Sequence, residues 1–282
     1  MYPTLFRIPF LDFPISTFGV MLAVAFLVGS WITAKRMAEE GLDPDLATTL
    51  LIYVMLGGIF GSKLYYAVDV SLRSGLPFWK LFFARDGITW YGGHLMATAV
   101  GAIGCRIHRL PVKTVADCTA VAGAVGQALG RIGCFLVGDD YGRPTDLPWG
   151  VAFPRGLPPS TAANLADFRV AIPEGTDPST VLAVHPTQLY EVTIMLVVFA
   201  LLWTLRSRER GTGWLFAVYL MLAGLERFFV EIFRAKDDRF LAGFTIAQLT
   251  SVVLIGIGAY LYRRWRDDRQ LAAGAYLSTV KK

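Results

Sequence analysis

From position 13 to position 34 the chain carries no charged side chain, a run of 22 residues that limits what it can fold into more than any other feature. As a helix it would extend about 33 Å at 1.5 Å per residue, enough to cross about 30 Å of bilayer hydrocarbon. The run is longer than a signal-peptide core and lacks the basic segment that precedes one, so it is expected to remain as a transmembrane anchor. Comparable apolar windows follow at 46–68, 88–107, 115–137, 189–205, 212–233 and 244–261, each close to the length a crossing helix needs. The expected fold is all-α: a single polytopic membrane protein over residues 1–282 with about seven transmembrane helices. A hydrophobic content of 54% agrees with a bilayer as its solvent.

Seven crossings put the termini on opposite sides. With Lys63, Arg131 and Arg227 set aside as lying inside apolar windows, fourteen of the remaining Lys and Arg fall on one set of alternate loops and ten on the other. The tight clusters Arg206-Ser-Arg-Glu-Arg210 and Arg263-Arg-Trp-Arg266 belong to the richer set. By the positive-inside rule the N-terminus is outside and the C-terminus cytoplasmic, with 264–282 as a cytoplasmic tail. The connection 138–184, with prolines at 144, 148, 154, 158, 159, 173 and 178 and a net acidic balance, falls outside and is expected to form a small loop cap. The net charge of +5 is then mostly membrane-flank charge. No basic stripe interleaved with aromatics points to nucleic acid, and no matched halves of the kind common in secondary transporters are present.

Three cysteines, Cys105, Cys118 and Cys134, form no CxxC pair, and the chain has only three histidines, His94, His108 and His185. Neither a disulfide framework nor a metal site is indicated, and no cofactor is implied. The informative residues are the charges inside apolar windows, each costing about 2.5–3.5 kcal/mol on insertion and so expected to face a partner or a polar cavity. Lys63 lies in Gly57-Gly-Ile-Phe-Gly-Ser-Lys63, Arg131 in Gly130-Arg-Ile-Gly-Cys-Phe135 and Glu191 in His185-Pro-Thr-Gln-Leu-Tyr-Glu191, while Glu226, Arg227, Glu231 and Arg234 share one late window. Arg227, Glu231 and Arg234 are spaced i, i+4, i+7, which puts them on one helix face. Glu231 can hold a guanidinium fork in place for an incoming phosphate, the alternative being a purely structural ion pair. Gly126 and Gly130 form a GxxxG step that lets a neighbouring helix approach Arg131, and a polar turn with two carboxylates, Asp139 and Asp140, follows at once. His185 is expected at a helix cap with Pro186 in the first helical position, and it has the chemistry of a base near neutral pH. Tyr91-Gly-Gly-His94 opens the third window, its glycines allowing close approach of a ligand or a helix.

Together these segments, with Gly138-Asp-Asp-Tyr-Gly-Arg-Pro-Thr145 and Arg227-Phe-Phe-Val-Glu-Ile-Phe-Arg234, resemble the prolipoprotein diacylglyceryl transferases in order and spacing over most of the chain. The resemblance implies a bacterial inner-membrane enzyme with a periplasmic N-terminus. Such an enzyme takes phosphatidylglycerol and a preprolipoprotein, transfers diacylglycerol to the lipobox cysteine and releases glycerol phosphate. It further implies that Arg131 binds the lipid headgroup and that Arg227 and Glu231 form a second essential pair. Lys63, Gly142, Gln188 and Arg234 are counted with Arg131 and Arg227 as substrate-binding candidates. Tyr91, His94, His185, Glu191 and Glu231 are the catalytic candidates.

The chain departs from the best-studied branch of that family, which has His-Gly-Gly where Tyr91-Gly-Gly stands and Asn where Cys134 stands. The same branch has tyrosine in place of Phe18 and Ala223 and arginine in place of Lys63. The base is therefore open among Tyr91, His94 and His185. Two other readings stand beside the transferase: a homologue with the same lipid site and another acceptor, and a polytopic transporter or assembly factor.

Overall fold

The computed structural model describes residues 1–265 apart from positions 9, 11, 12, 85, 86, 88, 208–210, 237, 238 and 242. The expected tail 264–282 lies outside the described residues from position 266 onward, as do Arg208 and Arg210 of one basic cluster. In chain order the elements are β1 (Thr4–Ile8), β2 (Phe13–Ser16), α1 (Thr17–Glu39), α2 (Leu46–Ser74), α3 (Phe78–Phe82), α4 (Trp90–Ile107) and α5 (Val112–Val137). There follow β3 (Val151–Ala152), α6 (Ala162–Asp167), β4 (Ala183–Val184), α7 (Thr187–Leu205), α8 (Trp214–Val230), a 3-10 turn at Glu231–Phe233, β5 (Arg239–Leu241), β6 (Phe244–Thr245) and α9 (Ile246–Trp265).

Each apolar window carries one long helix, and the chain is an all-α, multi-pass membrane protein. Among the described residues α1, α2, α5, α7 and α9 are long and apolar enough to cross a bilayer by themselves. Of the seven expected crossings, those of α4 and α8 rest on alternation of the chain alone. The first window is not helical throughout: Phe13–Ser16 pairs with β1 as an antiparallel hairpin. Pro14 accounts for this, since it bars the preceding residue from helical conformation and has no N–H to offer. Among the described residues, six short strands in three two-stranded sheets, none expected from the apolar pattern, occupy helix ends and connections.

The described residues form two compact units, one of Ser30–Cys118 and one of Met1–Gly29 with the chain from Thr119 onward. In the first, Met37, Leu42, Leu50, Cys105, Leu110 and Cys118 make a core at one end of α1, α2 and α4. Further along, α2 and α4 approach so closely that no side chain fits between them. A Cβ on Gly61 would overlap Met96 and the Gly92 carbonyl, and one on Gly92 would overlap Tyr65 and the Gly61 carbonyl. Tight apposition of this kind holds helices together in lipid, where burial of apolar surface supplies no driving force.

In the second unit, α5 packs on the first turns of α1 at Gly133, where a Cβ would lie 3.0 Å from Met21 Cβ, and on Tyr219 of α8 at Gly123. Gly130, expected as half of a packing step, has no atom within 4 Å of an added Cβ. Segment 138–184 has a core of its own, Tyr141, Phe153, Leu165 and Val184, joined by Ala235. Backbone bonds stitch it to the ends of two helices: Gly142 N donates to His185 O (2.8 Å), His185 N to Arg143 O (2.9 Å), Arg143 N to Phe233 O (2.8 Å) and Ala235 N to Tyr141 O (3.2 Å). The end of α5, the start of α7 and the end of α8 are thereby fixed to one another.

The α2–α4 contact sets the first testable consequence. Gly61→Ala and Gly92→Ala each overpack a helix interface and are expected to cost about 1–3 kcal/mol. Gly256→Ala, with nothing within 4 Å of its Cβ, should be neutral or gain up to about 1 kcal/mol of helix propensity. Thermal unfolding of the purified variants in detergent separates the two classes, and equal midpoints for Gly92→Ala and wild type would contradict the packing.

Candidate functional site

Where α5 ends, the chain must turn sharply. Gly138 does so with φ +78°, in the left-handed region open to glycine, and Gly138 N and Asp139 N both donate to Cys134 O at 2.8 and 3.2 Å. Asp140 follows, also at positive φ (57°), a conformation that a short polar side chain tolerates. The turn is held from α7: Thr187 Oγ1 donates to Asp140 O at 2.8 Å and Gln188 Nε2 to Asp139 O at 2.5 Å. It places the Asp140 carboxylate between two arginines, Arg131 Nη1 at 2.8 Å and Arg234 Nη2.

The centre of the cluster is Glu191, on the first turns of α7 and with 0% of its surface exposed. Arg131 Nε lies 2.5 Å from its Oε2, and Arg227 Nη1 lies 3.7 Å from its Oε1. Arg227 is also paired with Glu231, at 2.7 Å, and Glu231 with Arg234, at 3.4 Å. Three guanidinia and three carboxylates thus form one closed network. Neither Glu191 oxygen, nor Arg227 Nη1, makes a well-aligned hydrogen bond within the protein. A buried polar group without a partner costs about 1–3 kcal/mol, and of these atoms Arg227 Nη1 is the donor that an oxyanion could satisfy.

The expected single helix face of Arg227, Glu231 and Arg234 is corrected. Helix α8 stops at Val230, Glu231 begins a 3-10 turn, and Arg234 has extended backbone with ψ 145°. Arg234 then bridges to Gly142, and its side chain reaches Asp140 because the chain has left the helix. Pro186 occupies the cap of α7 and Thr187 the first helical position, one residue later than expected. A Cβ on Gly142 would lie 2.5 Å from Phe233 O and 2.7 Å from His185 Cβ, so this glycine makes room for a chain crossing. Gln188, fully buried, holds the Asp139 turn. His185 packs its ring on Phe233 at 5.2 Å and sets its Nδ1 3.1 Å from Tyr190 Oη.

Lys63, Tyr91 and His94 belong to the other unit. Lys63 Nζ donates to Ala84 O at 2.6 Å beside the Tyr66 ring. Gly92 and Gly93, next to Tyr91, serve helix packing, and His94 stacks on Trp90 at 4.3 Å. Among the described residues no three His, Cys, Asp or Glu gather as a metal site. Two participants went unassigned in the sequence. Glu226 bonds to Gln127 Nε2 at 3.2 Å, one turn below Arg131; its charge in an apolar window is visible, but its partner is not. Asp140 is signalled by the polar turn after α5 as a carboxylate able to anchor nearby guanidinia, and the structure gives it Arg131 and Arg234.

Charge outside the helices is tuned in opposite senses at neighbouring residues. Burial raises Asp139 above the ordinary carboxylate value, with the hydrogen bond to Cys134 opposing it. Burial also works to raise Asp140, but Arg234 and Arg131 outweigh it and hold the carboxyl below that value. Burial lowers His185 and pushes Tyr141 up to about 12.

Fold and cluster together define a multi-pass membrane protein with fixed guanidinia at the ends of its helices, suited to an anionic ligand. Residues 3–264 match the family model described as prolipoprotein diacylglyceryl transferase, and the chain belongs to that family. Relatives named phosphatidylglycerol–prolipoprotein diacylglyceryl transferase include proteins from Geobacter sulfurreducens, 33% identical over 91% of this chain and 92% of its own length, and Thermosynechococcus vestitus, 31% identical over 90% of each. A third, from Nitratidesulfovibrio vulgaris, is 31% identical over 91% of this chain and 92% of its own length.

The Asp139–Asp140 contrast is directly measurable. Asp140, lowered in the folded state, contributes stability above the unfolded carboxylate value near 3.9, lost as pH falls through its folded pKa. Asp139, raised, carries a penalty that is absent below about 3.9 and complete above its folded pKa. At pH 7 the thermal midpoint should fall for Asp140→Asn and rise for Asp139→Asn, both differences shrinking below about pH 4. Shifts of the same sign at pH 7 would refute the assignment.

Proposed function

We propose that this protein transfers the sn-1,2-diacylglyceryl group of phosphatidylglycerol to the lipobox cysteine thiol of prolipoproteins, releasing glycerol phosphate. It works in the cell inner membrane with its N-terminus periplasmic, its C-terminus cytoplasmic and segment 138–184 as an outer cap. The observation that carries this reading is the pairing of Arg131 and Arg227 about the buried Glu191, with Arg227 Nη1 lacking an aligned acceptor.

In this reading the thiolate sulfur attacks the glycerol carbon that bears the phosphate. The C–S bond forms, the C–O bond breaks, and the electron pair leaves on the phosphate oxygen of glycerol phosphate. The thiol proton goes to a base, for which the chain offers Tyr91, His94 and His185. Charge builds on the departing phosphate, and guanidinia already held in place stabilise it without reorganising. Arg131 and Arg227 do this here, with Arg234 beside them. Each is kept by a carboxylate it shares with a neighbour, so none collapses onto a single partner when the lipid is absent. Asp140 is the carboxylate that gives way to phosphate: its side chain is 40% exposed, against 1% for Glu191 and 2% for Glu231, so water can take over its solvation.

The test is transfer of labelled diacylglycerol from phosphatidylglycerol to a lipobox peptide by the purified protein. Wild type should be active and Arg131→Ala should lose about 10²–10³-fold in rate, the range for removing one fixed donor from a developing oxyanion. Arg131→Ala at the wild-type rate would sink the reading. Lipid binding without transfer by wild type would point to another acceptor.

A further inference from the structure

Beside the guanidinium cluster, three side chains form a hydrogen-bonded row that the transfer scheme has not used. Trp149 Nε1 donates to Tyr190 Oη at 2.9 Å, and Tyr190 Oη lies 3.1 Å from His185 Nδ1. An indole N–H only donates, so the phenol oxygen is an acceptor toward Trp149. A phenol has one proton. Directed at His185 it meets an unprotonated Nδ1, and all three groups are satisfied. With Nδ1 protonated instead, the phenol oxygen would accept from both Trp149 and His185 and its own proton would be left to solvent, so the protein satisfies the row by itself in the first arrangement alone. A neutral imidazole with Nδ1 as acceptor carries its proton on Nε2.

The place of His185 gives this tautomer a use. Its backbone is bonded on both sides to Gly142 and Arg143, the strand that bridges to Arg234, and its ring lies on Phe233, the residue before Arg234. The imidazole therefore stands at the rim of the arginine cluster, half-exposed. We infer that His185 is held by Tyr190 as the neutral Nε2–H tautomer and acts as a hydrogen-bond donor to headgroup oxygens of the phospholipid. It is a binding residue, and it is not the base that takes the thiol proton. With Nδ1 engaged by a phenol and Nε2 already protonated, it has no free lone pair for that proton. Burial, which lowers its pKa, works in the same direction by keeping the ring neutral.

The inference rests on the transferase reading for the identity of the ligand, but its tautomer half does not. With only three histidines in the chain, nitrogen-15 labelling of histidine in the full-length protein in detergent gives a spectrum in which His185 is identified by its loss in His185→Asn. The expected signal is an unprotonated Nδ1 and a protonated Nε2, with both tautomers appearing in Tyr190→Phe; a protonated Nδ1 in wild type overturns the inference. In the transfer assay His185→Ala and His185→Asn should raise KM for phosphatidylglycerol about tenfold, the low end for losing a hydrogen bond to a charged oxygen, with much smaller effects on kcat. His185→Gln, whose amide nitrogen can stand where Nε2 stood, should recover most of the loss. A fall in kcat of about 10²-fold or more in all three would make His185 the base and overturn the inference. An inactive wild type would defeat the reading of function instead, and the tautomer signal together with phosphatidylglycerol binding in nanodiscs would still decide the role of His185.

Discussion

Everything at this site depends on one carboxylate that water cannot reach. Glu191 has no exposed surface, and an ionised carboxylate in such a place is tolerated only when opposite charge is held against it. Arg131 and Arg227 supply that charge from two other helices, and neither has freedom to leave while Glu191 stays buried. Removing one partner of a buried pair costs about 3–5 kcal/mol because the other charge is stranded. The same dependence that makes the cluster expensive holds two guanidinia apart in fixed positions, which is what the proposed recognition of a phosphate requires. Stability of the site and its chemistry are one arrangement.

The helices alone do not produce that arrangement. Arg131, Glu191 and Arg227 lie near helix ends, where side-chain position depends on how the chain enters and leaves. The turn at Gly138 and the bonds that run from Gly142 and Arg143 to His185 and Phe233 lock these ends together. A small β-like knot beside helices built for lipid thus sets the spacing of the charges. It also explains why the residues of segment 138–145 carry so much of the sequence signal while few of them offer a free polar group. Gly142 makes room for the chain crossing and Gln188 holds the Asp139 turn.

Much of this was legible in the chain. Each apolar window located a helix, because some twenty predominantly apolar residues have few other fates in a protein of this composition. Arg131, Glu191, Arg227 and Glu231 inside those windows pointed to the cluster, because an intramembrane ion needs a reason to be there, whereas Lys63 is not part of it. The spacing of Arg227, Glu231 and Arg234 pointed to their association but not to its geometry, since helix periodicity says nothing about where a helix stops. Ends fixed by long-range backbone bonds, such as that of α8, leave no local pattern. Strands β3 and β4 escaped for the same reason, being two residues each with partners far away in sequence, whereas β1–β2 and β5–β6 are local hairpins too short to show an alternating pattern. Gln127 and Glu226 illustrate the remaining limit: a pairing across 99 positions is invisible to any reading of neighbours.

The depth of the cluster links fold to function. Arg131 stands six residues before the end of α5, Glu191 four residues after the start of α7, and Arg227 three residues before the end of α8. At 1.5 Å per residue these are depths of about 5–9 Å from the helix ends, within reach of the interfacial layer that adds about 5–8 Å to each face of the hydrocarbon. Charges at that level escape most of the cost they would bear at the bilayer centre, by snorkelling and by contact with water. The backbone bonds that tie these three ends together gather the network at one end of the helices. In the proposed function that end faces the interface where a phospholipid carries its phosphate, so a substrate whose apolar chains stay in hydrocarbon presents its headgroup to these arginines without leaving the bilayer, and a soluble anion would find the same guanidinia without the apolar surroundings.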